Sequence, residues 1–151
     1  MLENIRLDFQ IERNDIANAG TVSSLTKRHL KKRGLSRSFV KRVTIGVYEA
    51  EINVVIHSYG GTANLNIEND YVEIEFKDVG PGIECISTAM QEGFSTASPY
   101  AIENGFGAGM GLPNIKSVSD EMYLDSSEDG TTLRIRFYIK DEDYENKPIN
   151  K

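Results

Sequence analysis

The sequence predicts an α+β fold: a two-layer sandwich in which helices cover one face of a mixed, mostly antiparallel sheet. Three observations lead there. Several short stretches place apolar residues at every second position, the pattern of a half-buried strand. Longer stretches between them space apolar residues as one face of a helix. Neighbouring strand stretches are joined by tight turns, which only antiparallel partners accept.

The first strand is IRLDFQIE, where Ile5, Leu7, Phe9 and Ile11 alternate with polar residues. RNDIANAG follows, and Asn14 or Asp15 is the expected N-cap of a first helix. That helix is expected to run to KKRG, with Gly34 as its stop. Its end, KRHLKKRG, is strongly basic, which suits the negative end of the helix dipole and leaves a contact with an acidic partner open. SRSFVKRV opens a second helix with Ser36 as its cap. Phe39, Val43, Val47, Ala50 and Val54 form its apolar stripe, and it ends near YGG. ANLNIE and YVEIEFKDV alternate on either side of ND, a hairpin signal. From residue 80 to 111 the chain turns rich in Gly, Ser and Ala. Loops of that length are uncommon and usually functional or mobile. LPNIKSVSDEM reads as a short helix, then YLDSS and EDGTTLRIRFYI as a strand, a turn and a strand. The polar tail, from about residue 141 to 151, is expected to fray.

Composition bounds the function classes. The 151 residues, 39% hydrophobic and 26% charged, suit one soluble globular domain spanning the sequence. A net charge of −6 gives the whole chain no nucleic-acid footprint. The one cysteine, Cys85, leaves no intrachain disulfide framework or cysteine metal site, and fits a reducing cytosol. MLENIRLDFQIE lacks the layout of a signal peptide, and no apolar run approaches the ~18 residues of a membrane span. The expectation is a cytoplasmic protein with no membrane and no direct nucleic-acid partner.

The chemistry starts in YEAEINVVIHSYGG, where Glu49, Asn53 and His57 fall at i, i+4 and i+8 on one side of an otherwise apolar helix. A solvated polar face would explain such a line by itself. Three further segments change the balance. In DVGPGI, Asp78 ends a strand, where its carboxylate can accept a hydrogen bond from an exocyclic amine. The glycines beside it let a flat ring lie against the backbone. In GFGAGMGLPNI, Gly105, Gly107, Gly109 and Gly111 alternate just before a helix, the makings of an anion site. It is neither a Walker loop nor a dinucleotide fingerprint. In DGTTLRI, Thr131 and Thr132 open a strand, and a hydroxyl there can reach a ligand. Together these parts describe a nucleotide site. An amide oxygen on Asn53 can be one of the few protein ligands taken by phosphate-bound Mg²⁺. Glu49, one turn away, can accept a proton from an attacking hydroxyl. Glu51 lies about 200° from Glu49 on an ideal helix and should face away.

E-x-x-x-N on a helix, D-x-G-x-G after a strand and a second glycine box before a helix resemble, in this order, the Bergerat-fold ATP-binding domains. That group includes the ATPase domains of gyrase, histidine kinases and mismatch-repair proteins. Within it, DVGPGI, MQEGFSTA, GAGMGLPNIKSVSDEM and DGTTLRIRF are most similar to the small bacterial serine kinases of partner-switching systems, the anti-sigma factors and switch kinases. The resemblance implies the histidine-kinase-like ATPase fold, ATP and Mg²⁺, and phosphorylation of a serine or threonine on a small antagonist protein of the anti-sigma-factor-antagonist (STAS-like) type. It also implies a sigma factor as a second partner in some members, and homodimers in many. By motif, Glu49 would be the catalytic base and Asn53 the Mg²⁺ ligand. Asp78 would bind the adenine amino group, with Gly80, Gly82 and Ile83 beside the base. Gly105, Gly107, Gly109, Met110, Gly111 and Leu112 would line the phosphates, and Thr132 would sit near the adenine. Residues 83–104 would form a lid over the ATP, with SPYAIEN an addition to the usual pattern.

Neither histidine has a phosphoacceptor setting: His29 lies in KRHLKKRG and His57 within the ATP-binding helix. Gyrase-type and mismatch-repair proteins need further domains that 151 residues do not hold. Three functions compete: a protein serine/threonine kinase, a nucleotide-gated module that sequesters a regulator without phosphoryl transfer, and a simple ATPase.

Overall fold

The computed structural model describes residues 3–80 and 111–145. The elements are β1 (Ile5–Ile11), α1 (Thr21–Lys32), α2 (Arg37–His57), β2 (Gly61–Ile67), β3 (Tyr71–Asp78), α3 (Gly111–Val118), β4 (Glu121–Ser127) and β5 (Gly130–Tyr138). Single 3-10 turns occupy Ile16–Asn18 and Asp141–Asp143. The strands form one sheet in the order β1-β2-β3-β5-β4, and every pairing is antiparallel. The mostly antiparallel sheet with its helical layer is as expected, and among the described residues the antiparallel pairing extends to every strand pair. β3 and β4 run in the same direction and would pair in parallel if they were neighbours. β5 folds back between them, so among the described residues no parallel pair forms.

The central strands bury alternate residues: Leu65 and Ile67 on β2, Ile74 and Phe76 on β3, Ile135 and Phe137 on β5. They pack against the expected stripe of α2, where Phe39, Val43, Val47, Ala50 and Val54 are all buried. Each large side chain withdrawn from water in this way contributes about 1.5–3 kcal/mol. The opposite face of the sheet is wet. There Arg136 pairs with Glu73 at 2.9 Å and Arg134 with Glu75 at 3.5 Å, partly exposed pairs worth about 0–1 kcal/mol each. Gly46 lies inside α2, where glycine costs about 1 kcal/mol relative to alanine. A Cβ at that position would stand 2.9 Å from Phe137 Cζ and 3.2 Å from Val118 Cγ2, so the glycine lets β5 and α3 approach the helix.

Helix ends hold both confirmed and corrected expectations. Gly34, at φ +81, follows the last turn of α1 as expected, and Ser36 Oγ accepts the Phe39 N–H at 3.2 Å to cap α2. Neither Asn14 nor Asp15 caps α1. Asp15 instead accepts from the Asn18 amide, and α1 starts later, with Gly20 at its N-cap. Glycine has no side chain to cap with. Its place is taken by Glu51 of α2, whose carboxylate accepts the N–H groups of Gly20, Val22 and Ser23 at 3.1, 3.0 and 3.2 Å. As expected, then, Glu51 faces away from Glu49. α3 stops at Val118, short of the expected end, because the Asp120 N–H donates to the Arg136 carbonyl at 2.9 Å and draws the chain into the sheet. The first residues of the tail are likewise docked rather than frayed. The Ser36 N–H donates to the Asp143 carbonyl at 2.6 Å and the Glu145 N–H to the Gly34 carbonyl at 3.0 Å, which ties the tail to the α1–α2 connection.

Glu51→Ala would leave three donors at the start of α1 without their acceptor. It is expected to cost about 2–4 kcal/mol in urea unfolding, with Glu51→Gln in between because its amide oxygen still accepts. A Glu51→Ala midpoint equal to that of the parent would remove this contact from the account of the fold.

Candidate active site

Two structural neighbourhoods gather the candidate residues. The first is the end of β3. Asp78 is in phase with Ile74 and Phe76, on the side of the sheet that faces the helices. Its Oδ1 accepts the Thr131 N–H at 2.9 Å, and among the described residues its second carboxylate oxygen has no hydrogen-bond partner. Burial pushes the Asp78 carboxyl up from its ordinary value, and the Thr131 hydrogen bond pulls the other way. Glycines allow the backbone to close in around it. A side chain at Gly130, where φ is +151, would overlap the Asp78 carbonyl, and one at Gly61 would overlap that of Lys77. Gly80 donates its N–H to the Asp129 carbonyl at 2.8 Å, so it fastens the strand end beneath the β4–β5 turn.

The second neighbourhood is where α2 faces the start of α3. A Cβ at Gly111 would stand 3.0 Å from Asn53 Oδ1 and 3.2 Å from its Nδ2, so glycine permits the Asn53 amide to sit against the first residue of α3. Among the described residues neither amide atom of Asn53 has a hydrogen-bond partner. Glu49, one turn earlier on α2, hydrogen-bonds the Asn114 side chain on α3. Burial raises the Glu49 carboxyl above its usual range, against the lowering effect of Asn114. Leu112 is buried in the hydrophobic core beside Ile115. His57 is the last residue of α2, and burial holds its imidazole below the usual value.

The structure thus gathers Glu49, Asn53 and Gly111 at one place and Asp78 and Gly80 at another. It does not bring Thr132 to them. Thr132 is in phase with Arg134 and Arg136, on the face turned away from the helices, and pairs with Lys77. Thr131 is the threonine beside Asp78. The sequence contained the signal: Thr131 is two residues before Leu133 and in phase with Ile135 and Phe137. Asn114 is a second residue that the sequence reading missed. Its only mark there is a spacing of three from Gly111, one helical turn. Gly82, Ile83, Cys85, Gly105, Gly107, Gly109 and Met110, with the expected lid at 83–104, lie outside the described residues.

Glu49 and Asp78 both hold protons more tightly in the folded chain than in the unfolded one. Between the ordinary carboxylate range and the raised values, the folded state carries more protons, so stability falls as pH rises through that window. Glu49→Gln and Asp78→Asn are therefore each expected to raise the urea midpoint at pH 7. The gain should fade as pH drops below about 4, where the parent carboxylates are protonated in both states. A midpoint at pH 7 no higher than the parent's would contradict the desolvation of these groups.

The comparisons with known proteins agree with this fold. The family model described as a histidine kinase-like ATPase domain matches residues 13–137. Serine/threonine-protein kinase RsbT of Bacillus subtilis (strain 168) is 32% identical over 100 residues, covering 62% of this chain and 68% of RsbT. The anti-sigma F factor of Thermoanaerobacter sp. (strain X514) is 34% identical over 103 residues, covering 64% of this chain and 68% of that protein. The crystal structure of the RsbU and RsbW domains of a Mycobacterium tuberculosis protein superposes with a TM-score of 0.61 at 17% identity, over 88% of this chain and 32% of that one. That likeness supports the fold. The ordered motifs, the all-antiparallel sheet with its helical layer and a family match over most of the length lead to one conclusion: the chain belongs to the histidine kinase-like ATPase domain family.

Proposed function

We propose that the chain is an ATP-dependent serine/threonine protein kinase of the anti-sigma or switch type. Its substrate would be a small anti-sigma-factor antagonist (STAS-like) protein, and its effect a change in transcription through partner switching. The observation that carries this reading is the pairing of Glu49 with Asn53 on α2, across from Gly111 and Asn114 at the start of α3. A simple nucleotide-binding pocket has no need of a desolvated carboxylate held by a neighbouring amide. A phosphoryl transferase does, because the acceptor hydroxyl must lose its proton as it attacks.

In this reading Asp78 accepts the adenine amino group on its second oxygen, while Thr131 fixes the first. The acceptor hydroxyl attacks the γ-phosphorus of ATP, the bond to the ADP oxygen breaks, and Glu49 takes the hydroxyl proton. Asn114 orients Glu49. The raised affinity of Glu49 for protons suits a general base. Among the described residues no group of three or more His, Cys, Asp or Glu is arranged to hold a metal by itself. Were Mg²⁺ taken up with the nucleotide, Asn53 would supply one protein oxygen to it, the rest coming from phosphates and water. When bound, the ion neutralises charge on the transferring phosphate. The names of RsbT and the anti-sigma F factor support the same assignment.

The test is transfer of γ-labelled phosphate from Mg-ATP to the proteins of a lysate from the native cell. One small protein labelled on serine or threonine is expected. Glu49→Gln should lower that transfer by at least ~100-fold while leaving ATP affinity within about threefold. Transfer at the normal rate by the Glu49 variant would overturn the base. Absence of label from a chain that binds Mg-ATP tightly would favour the nucleotide-gated binding module. Asn53→Ala should weaken ATP binding in Mg²⁺ much more than in EDTA. Equal losses in the two conditions would take the metal away from Asn53.

A further inference from the structure

Next to Glu49, on the outer side of α1 and α2, lies a groove of about 680 Å³. Its floor is apolar, with Leu35 and Val40 buried beneath it. Its rim is basic. Lys27 and Lys31 stand one turn apart on α1, and Arg37 and Lys41 one turn apart on α2. All four are exposed, and none is in an ion pair among the described residues. Four exposed cations bordering one concavity concentrate positive charge in a chain of net charge −6. The groove follows α2 toward Tyr48 and Glu49, and Glu145 stands at the other end, tied by its N–H to Gly34.

We propose that this groove is the substrate-docking site of the kinase, and that it takes an acidic segment of the protein that carries the acceptor hydroxyl. The proposal rests on the kinase reading above. Two observations select the occupant. The rim has the charge of a partner for carboxylates, and the groove ends on the residue assigned as the base. Lys41 and Arg37 precede Glu49 by eight and twelve helical residues, about 12 and 18 Å along α2. A segment lying along the helix with its hydroxyl at Glu49 would thus place acidic side chains about 12–18 Å away, and apolar ones over Leu35 and Val40. Nucleic acid fits less well, because Glu49 and Glu145 present carboxylates to a phosphate backbone at both ends.

The probe is a fluorescent helical peptide of about 16 residues, whose single serine stands roughly 8 to 12 residues from a cluster of glutamates. Controls are the same peptide with lysine for glutamate, and a single-stranded DNA of matching charge. Binding is measured in Mg²⁺ with a non-hydrolysable ATP analogue. The glutamate peptide should bind at least ~10-fold more tightly than either control, and more weakly as salt rises. Lys31→Glu combined with Lys41→Glu should weaken it a further ~10-fold or more, with thermal melting and analogue binding unchanged. Equal affinity for the two peptides, preference for DNA, or an unmoved affinity in the double variant would each overturn the proposal. Failure of the kinase reading looks different: the glutamate peptide would bind through these cations yet accept no phosphate from Mg-ATP, and the lysate would show no labelled protein.

Discussion

A carboxylate only 2% exposed, Glu51, ties α1 to α2 by accepting three backbone N–H groups at the start of α1. A buried charge is tolerated only when donors compensate it, and the positive end of a helix supplies both donors and dipole. The contact also sets where α1 begins. Gly20 turns the chain at φ +100, leaves the cap position empty of side chain and packs near Tyr48. α2 thereby becomes a beam with two chemically distinct sides. Glu51 fastens α1 on one side, while Glu49 and Asn53 address α3 on the other. Two carboxylates separated by one residue do unrelated work because a helix turns them about 200° apart.

The other end of the site depends on backbone approach rather than on charge. Gly61 and Gly130 let β2 and the β4–β5 turn come against the last residues of β3, where any Cβ would collide. Asp78 is consequently desolvated and fixed by Thr131 instead of waving in a loop. Gly46 does the same for the core, admitting Phe137 and Val118 against α2. The two neighbourhoods of the site, one on the sheet and one between helices, are held in place through this packing.

Local patterns were legible where the cause is local. Period two in β1, β2, β3 and β5, the apolar stripe of α2, the Ser36 cap and the Gly34 stop all arise from residues within a turn or two of each other. The order of the motifs marks Glu49, Asn53, Asp78 and Gly111 as candidates, and the structure places them in two neighbourhoods. Thr131 was also readable, since the phase of Leu133, Ile135 and Phe137 decides which of two adjacent threonines faces the helices, and a step of one residue reverses the face. The early end of α3 and the docked tail were not readable. Each follows from a hydrogen bond to a partner far along the chain, Arg136 in one case and Gly34 and Ser36 in the other.

By itself the sequence determined the elements, their order, the family and the candidate residues of the site, because periodicity and short motifs are properties of contiguous residues. Only the tertiary structure decided that β5 would separate β3 from β4. It alone decided that Glu51 would cap another helix, that Asn114 would hold Glu49, and that four cations from two helices would border one groove. The physical reason is common to all of these. Each is a contact between segments distant in sequence, made only when the apolar faces of α1, α2, α3 and the sheet are buried together, and no local spacing encodes which partner arrives.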